Sequence, residues 1–396
     1  MPHRASRATA GAALSMPCFP AMTADVLSDQ ALNRATLARQ MLLQRSTTTD
    51  LLAAVHRLVG LQAQNPLDPY LALWSRLADF DPGVLGQAIE DRRLARIVVM
   101  RGTIHLVTAE DALALPAVFQ PVLDAEIARH PEFSPHLRGI DLAPVLAYAR
   151  EVLSAQPATT TRLRAAIAER FPDVHAAAAA YATRCAVPLV QVPPRGVWGK
   201  KGQVTVTPAD AWLGRPLGTE TAPDAAVLRY LAAFGPATVA DVAAWCRLTG
   251  MREVVDRLAP RLRTFRDERG RTLYDVPDGP LPDPDVQAPV RFLPEYDNST
   301  LSFADRSRFG SDEDRRFSGG RDPFKGSVLV DGRVRAIWHP VPRSPRGRPV
   351  VGVTHHPLTA AQAADVEAEA RRMAVFWLAA ASEDEADVRL TPLPTA

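Results

Sequence analysis

Three stretches of this chain place apolar residues at helical spacing ahead of a Thr-rich segment, from Leu32 to Gln44, Leu142 to Ala155 and Ala225 to Phe234. The Thr-rich segments align: Arg45 to Val55 resembles Pro157 to Ile167, and Pro236 to Ala244 is a third copy. A Thr or Ser that accepts a hydrogen bond from the following turn starts a helix, so each copy predicts a second helix. A third helix and a β-rich hairpin then follow in every copy. The first hairpin runs from Arg96 to Val107 about Arg101-Gly102, and the second from Val187 to Val206 about Arg195-Gly196 and Gly199 to Gly202. The third runs from Leu262 to Val276 and turns at Glu268 to Arg271. Helix, helix, helix and basic hairpin is the plan of a winged helix, a variant of the helix-turn-helix.

From about Pro284 the period shortens. β runs are expected at Val290 to Leu293, Ser327 to Val330, Val334 to Trp338 and Pro349 to Val353, with Asp331-Gly332 as a hairpin turn. A final helix is expected from Thr359 to Ala381. The fold class that results is α+β and mainly α: three tandem winged-helix units followed by a β-barrel-like domain with a last helix. The boundaries are residues 26–140, 141–220, 221–283 and 284–396, after an N-terminal extension of residues 1–25. That extension carries Arg4, Arg7 and Ala-rich stretches but no continuous apolar segment, so it is expected to be disordered and not a targeting peptide.

At 396 residues and 47% hydrophobic content the chain suits several globular domains, and no apolar run approaches the roughly eighteen residues of a membrane span. A soluble, cytoplasmic protein is expected. Cys18, Cys185 and Cys246 are too scattered for a disulfide framework or a zinc site. A net charge of only +2 means that any nucleic-acid surface is a local patch. Basic residues are nearly all arginine, since only Lys200, Lys201 and Lys325 are lysine. Arginine contacts phosphate in a bidentate way, and all three hairpin tips carry Arg or Lys beside Gly. Arg195, Lys200, Lys201, Arg269 and Arg271 are therefore candidate phosphate contacts. The stretch from Arg306 to Arg321, with Arg308, Arg315 and Arg316, reads as a solvated loop or as a second track for a nucleic-acid backbone.

The candidate chemistry centres on Gln62-Ala63-Gln64, followed by Asn65-Pro66. The segment is expected to close the second helix, with Pro66 ending α geometry so that the chain runs extended and both amides face one small volume. Read by itself, the motif has a bland role, since glutamine amides also satisfy the carbonyls of a helix end.

The surrounding residues resemble a known family. Leu58 to Gln64, Met100 to Val107, Leu293 to Asn298 and Ala304 to Arg308 together are similar to the AlkZ/YcaQ family of bacterial DNA glycosylases, over about Ala31 to Leu378. The resemblance implies tandem winged helices arranged as a C-shaped clamp with a C-terminal β domain. It also implies removal of alkylated bases, including bulky N7-guanine adducts and interstrand crosslinks, with Gln62 and Gln64 catalytic as in the AlkZ-like branch. Arg101, Thr103, His105, Asp297, Asn298, Arg306 and Arg308 lie within the matching motifs and become candidate DNA contacts. For His105 a packed or phosphate-contacting role is expected over proton shuttling. Asp297-Asn298 also has ordinary turn chemistry, and Glu295 is a candidate partner for an arginine of the following loop.

The chemistry agrees with that assignment. An N7-alkylated guanine is already cationic and leaves without a strong general acid. The enzyme then has to stabilise an oxocarbenium-like sugar and aim a water. Carboxamides are suited to both tasks but are poor general bases, so stable uncharged lesions are expected to be poor substrates. A lyase would use an amine nucleophile. With Lys200 and Lys201 assigned to a wing tip, a hydrolytic, monofunctional, monomeric enzyme acting on duplex DNA is expected, with neither metal nor organic cofactor. His355-His356 lacks further ligands at workable spacing, and no P-loop, dinucleotide fingerprint or G-x-S-x-G is present. A non-catalytic winged-helix regulator and a protein-interaction scaffold remain the alternatives.

Overall fold

The computed structural model describes residues 25–311 and 326–393. The expected N-terminal extension up to residue 24 and Arg315, Arg316, Arg321 and Lys325 of the basic stretch lie outside the described residues.

Each expected first helix is present, as Asp29–Arg39, Ala143–Ala155 and Asp224–Phe234. The first starts earlier than its apolar period suggests, because the Ser28 side chain accepts from Ala31 N–H and caps it. It also stops well short of Gln44, where Met41 turns to a φ of 57°. The second helices are Leu51–Arg57, Thr160–Arg170 and Val239–Cys246. Thr159 and Thr238 cap the latter two. Asp241 completes a capping box with Thr238, whereas Asp50 and not a Thr caps the first.

The repeat is inexact in one instructive place. Before the second helix of the middle segment, Ala158–Thr159 pairs with Thr205 and Val206 on the returning hairpin strand, and in the third segment Ala237 bridges Tyr274 in the same way. In the first segment the corresponding residue, Ser46, bridges Leu77 instead. That frees the hairpin edge, and Leu61–Gln62 takes it, opposite Leu106 and His105.

The first two hairpins do not project separately as two wings. Leu94–Val98 pairs with Leu189–Gln191, at Arg96 with Gln191 and Ile97 with Val190, so both join one antiparallel six-stranded sheet. Ile97 and Val190 are buried there, which explains the union: each hairpin has an apolar edge that the other covers. The third hairpin, Arg263–Asp267 with Thr272–Asp275, gains a parallel strand from Val26–Leu27.

The C-terminal sheet is open and not a barrel. Its order is Arg291–Phe292, Gly326–Val330, Arg333–Val341, Val350–His355 and Asp387–Pro392. The edge strands never meet, because the helix Ala360–Trp377 covers the sheet with Val366, Ala370, Met373 and Ala374 and supplies the burial that closure would have given. The expected hairpin turn is present, with Asp331 and Gly332 at φ 48° and 75°. The last strand, parallel to Val350–His355, is not among the expected elements. A core containing Phe119, Tyr230, Phe234, Trp245, Phe303 and Leu329 runs through segments that are distant in sequence, so the units share their interior.

Candidate functional site

The glutamine motif does not close a helix. Leu51–Arg57 ends at Leu58, and the reversal is made by Val59 at φ 55° and Gly60 at φ 85°. Gly60 is required twice over, because a Cβ there would also lie 2.7 Å from Val107 Cγ1. Beyond it the chain is extended at Leu61–Gln62, and Ala63 N–H still donates to Ile104 O at 2.8 Å. Pro66 ends no helix but lies in the turn before the next one. Asn65 accepts from Leu67 N–H through its side chain, and the turn leads into the next helix, Asp68–Trp74.

The two amides differ in environment. Gln62 is 8% exposed, and its Oε1 accepts from Arg101 Nη2 at 2.6 Å. Gln64 is exposed, with Oε1 3.4 Å from Ile104 N. Between them the carbonyl of Ala63 accepts from Arg96 Nη2 at 2.9 Å.

Arg101 is the hub. At φ 59°, in the tight turn of the first hairpin, it is buried and donates from Nη2 also to Asn298 Oδ1 at 2.9 Å. Its Nη1 reaches the carbonyl of Trp245 at 3.4 Å. Burial, and then Arg247 and Arg306, bring its pKa down to about 10, which leaves it charged at neutral pH. His105 Nε2 is 3.3 Å from the same Nη2, and its Nδ1 is 3.1 Å from Thr103 O. Burial, with the Arg101 charge, drives His105 down to about 3, so the ring is neutral. Nδ1–H then donates to Thr103 and Nε2 accepts from Arg101. Asn298 Nδ2 donates to Gly60 O at 3.1 Å, tying the C-terminal segment to the reversal before the motif.

Several expected DNA contacts are therefore interior. His105 is fully buried, and Arg101, Asp297 and Asn298 are buried with it. Asp297 caps the short helix Asn298–Leu301 and pairs with buried Arg76 at 2.7 Å, which together with its Ser299 hydrogen bonds holds its carboxyl below the usual range against burial. Arg308 is buried over the Phe303 ring and donates to Thr36 Oγ1 and Pro236 O. Glu295 shares a side-chain hydrogen bond with Tyr296. Half-buried Thr103 donates to Met100 O, and half-buried Arg195 reaches Gly202 O. Arg306 is half-buried. At the third hairpin Arg269 binds Asp29, and Arg271 binds Asp267 and Asp305. Lys200 is exposed beside Glu90, and Lys201 is exposed.

The matching family model, DNA glycosylase AlkZ-like, covers residues 55–376. This chain belongs to the AlkZ-like DNA glycosylase family. Among solved structures, the Streptomyces sahachiroi DNA glycosylase AlkZ superposes with a TM-score of 0.68 at 19% identity, over 93% of this chain and 100% of that one. At that identity the likeness establishes the fold. No curated protein sequence matches.

Two further buried charged residues carried no motif. Arg96 is 1% exposed, and burial with neighbouring Arg195 lowers its pKa to about 10. Asp68, in the first turn of its helix, is 4% exposed, and its Oδ2 has no hydrogen-bond partner among the described residues. Burial raises it to about 8, with Glu295 and Asp297 adding to the effect and Arg96 opposing it. The only sequence signal for Arg96 was a charge in an apolar strand, between Leu94 and Val98. Among the described residues no group of three or more His, Cys, Asp or Glu is placed to hold a metal ion, and no helix is long and apolar enough to cross a membrane.

Proposed function

We propose that this protein is a monofunctional DNA glycosylase that hydrolyses the N-glycosidic bond of cationic alkylated purines in duplex DNA. The N7-alkylguanine class, including bulky adducts and crosslinks, is the expected substrate. The observation that carries this reading is the motif strand itself. Two carboxamides flank a residue whose N–H and carbonyl are both tied down, at Ile104 and Arg96, and one of the two is exposed. Such a mount holds neutral polar groups in fixed positions, as charge stabilisation requires.

In this reading the C1′–N9 bond breaks with its electron pair going to the base, which leaves neutral. Water adds to C1′ and releases a proton to solvent. No cofactor takes part. The segments 26–140, 141–220 and 221–283 act as winged-helix units of a clamp around DNA, with Lys200, Lys201 and Arg195 among the phosphate contacts, and one monomer embraces one duplex in the cytoplasm. The physiological role is repair of alkylation damage or resistance to a self-made genotoxin.

The test is release of free base from a duplex carrying N7-methylguanine. The wild-type protein is expected to liberate it, and Gln62→Ala with Gln64→Ala is expected to lose the activity while still binding duplex. A double variant at the wild-type rate overturns the site. A wild-type protein that binds duplex but releases no base from any alkylated duplex points to a regulator.

A further inference from the structure

We infer that Arg101 is a positioning residue which turns the Gln62 carbonyl inward, so that Gln62 presents its amide N–H, and not its oxygen, to the substrate. The inference rests on the glycosylase reading of the motif and specifies what each glutamine does.

A guanidinium has only donors, so whatever faces it must be an acceptor. The 2.6 Å contact to Arg101 Nη2 thus fixes which end of the Gln62 carboxamide points inward. The same rule orients Asn298, whose Oδ1 faces Arg101 while its Nδ2 donates to Gly60 O. All hydrogen-bond partners of the Arg101 guanidinium among the described residues are uncharged: Gln62, His105, Asn298 and the Trp245 carbonyl. A buried charge without a carboxylate to neutralise it polarises the groups that solvate it, and a polarised carboxamide is a stronger N–H donor. Gln62 Nε2 has no hydrogen-bond partner among the described residues, although Gln62 is not fully enclosed.

The division of labour follows. Gln62 donates to an acceptor atom that gains electron density as the bond breaks, on the departing purine or on the sugar-phosphate beside it. Exposed Gln64 is left to orient water. A carbonyl already solvating a guanidinium is a poor stabiliser of a cationic sugar, so the oxygen of Gln62 is not the group that stabilises the oxocarbenium-like state.

Single-turnover release of N7-methylguanine, measured beside duplex affinity and thermal unfolding, tests this in Gln62→Ala, Gln62→Glu, Arg101→Met, Arg101→Lys and the Gln62→Ala/Arg101→Met double variant. Gln62→Glu keeps the shape and pairs with the buried cation but has no N–H, so it is expected to be as slow as Gln62→Ala. A Gln62→Glu variant at or above the wild-type rate overturns the inference, because a carboxylate oxygen stabilises a cation better than an amide does. Arg101→Met is expected to slow release by about tenfold or more, the worth of a hydrogen bond to a charged group, with affinity held within about twofold. Arg101→Lys should recover part of the rate. In the Gln62→Ala background Arg101→Met should cost nothing further, whereas a merely structural role makes the losses multiply and overturns the proposal. Should Arg101→Met fail to fold, Gln62→Glu decides the matter. A Gln62→Ala variant at the full rate brings down the glycosylase reading of the motif and this inference with it. A slow Gln62→Ala beside a fast Gln62→Glu brings down the inference alone.

Discussion

Arg96 Nη2 donates to the carbonyl oxygen of Ala63 at 2.9 Å, so a fully buried guanidinium grips the backbone between the two glutamines. Its Nε and Nη1 have no hydrogen-bond partner among the described residues, and the charge is thus poorly compensated for its desolvation. Arg96→Met keeps most of the volume and removes the grip. Its melting temperature is expected to stay within about 3 °C of wild type, while base release falls about tenfold as the motif backbone loosens. Calorimetry beside single-turnover kinetics checks it, and a large loss of stability at unchanged rate would refute the arrangement.

Asp68 gives stability a pH dependence. Its pKa is raised by burial from 3.8 to about 8, so the folded protein holds a proton that the unfolded chain has lost. This contribution is fully present below pH 3.8, declines as pH rises, and is gone once the folded group ionises near 8. Asp68→Asn is therefore expected to be more stable than wild type at pH 8 and nearly equal to it at pH 4. The gain should stay below the ~6 kcal/mol that a shift of this size represents in full. Chemical denaturation of both proteins at the two pH values measures the gap, and a gap that narrows with rising pH contradicts it.

The third hairpin is basic in sequence and largely neutralised in space. Arg271 and Arg269 lie 2.7 and 3.5 Å from Asp305, whose pKa is drawn down to about 2 by Ser307 and Arg271 despite burial. That stabilisation is present above the ordinary carboxylate pKa and is lost as pH falls through about 2. Asp305→Asn removes the carboxylate the two arginines share and leaves Arg269 on Asp29 and Arg271 on Asp267, so one negative charge fewer faces the hairpin. Duplex binding is expected to tighten with a steeper salt dependence, by about one unit of slope for each further phosphate neutralised. An unchanged salt slope would place this hairpin away from DNA.

Arg39 and Asp275 are both fully buried and joined at 2.6 and 2.9 Å, tying the first helix to the third hairpin across the molecule. Removing Asp275 strands the Arg39 charge, whereas Asp275 also binds Arg263 at 2.7 Å. Asp275→Ala is expected to cost about 3–5 kcal/mol in equilibrium unfolding, and Arg39→Met with Asp275→Leu together much less. Equal losses from the single and the paired variants would show that the ion pair is not the source.

The sequence by itself determined most of the local structure. Helical apolar spacing and the caps at Thr159, Thr238 and Thr359 located helices within a few residues, and Asp331-Gly332 located a hairpin, because these signals act between neighbours in the chain. The motif Gln62-Ala63-Gln64 was legible as a pattern. Its conformation was not, since the strand at Leu61–Gln62 exists only because Ile104–Thr108 returns to pair with it. Tertiary structure alone decided that two hairpins fuse at Arg96 and Ile97, that the C-terminal sheet stays open beneath a helix, and that Arg101, His105 and Asn298 turn inward. The physical reason is one of range. Capping and periodicity are settled within a turn or two of backbone. The burial of a charge depends on which distant segments close over it, here Trp245 and Asn298 over the guanidinium that orients Gln62.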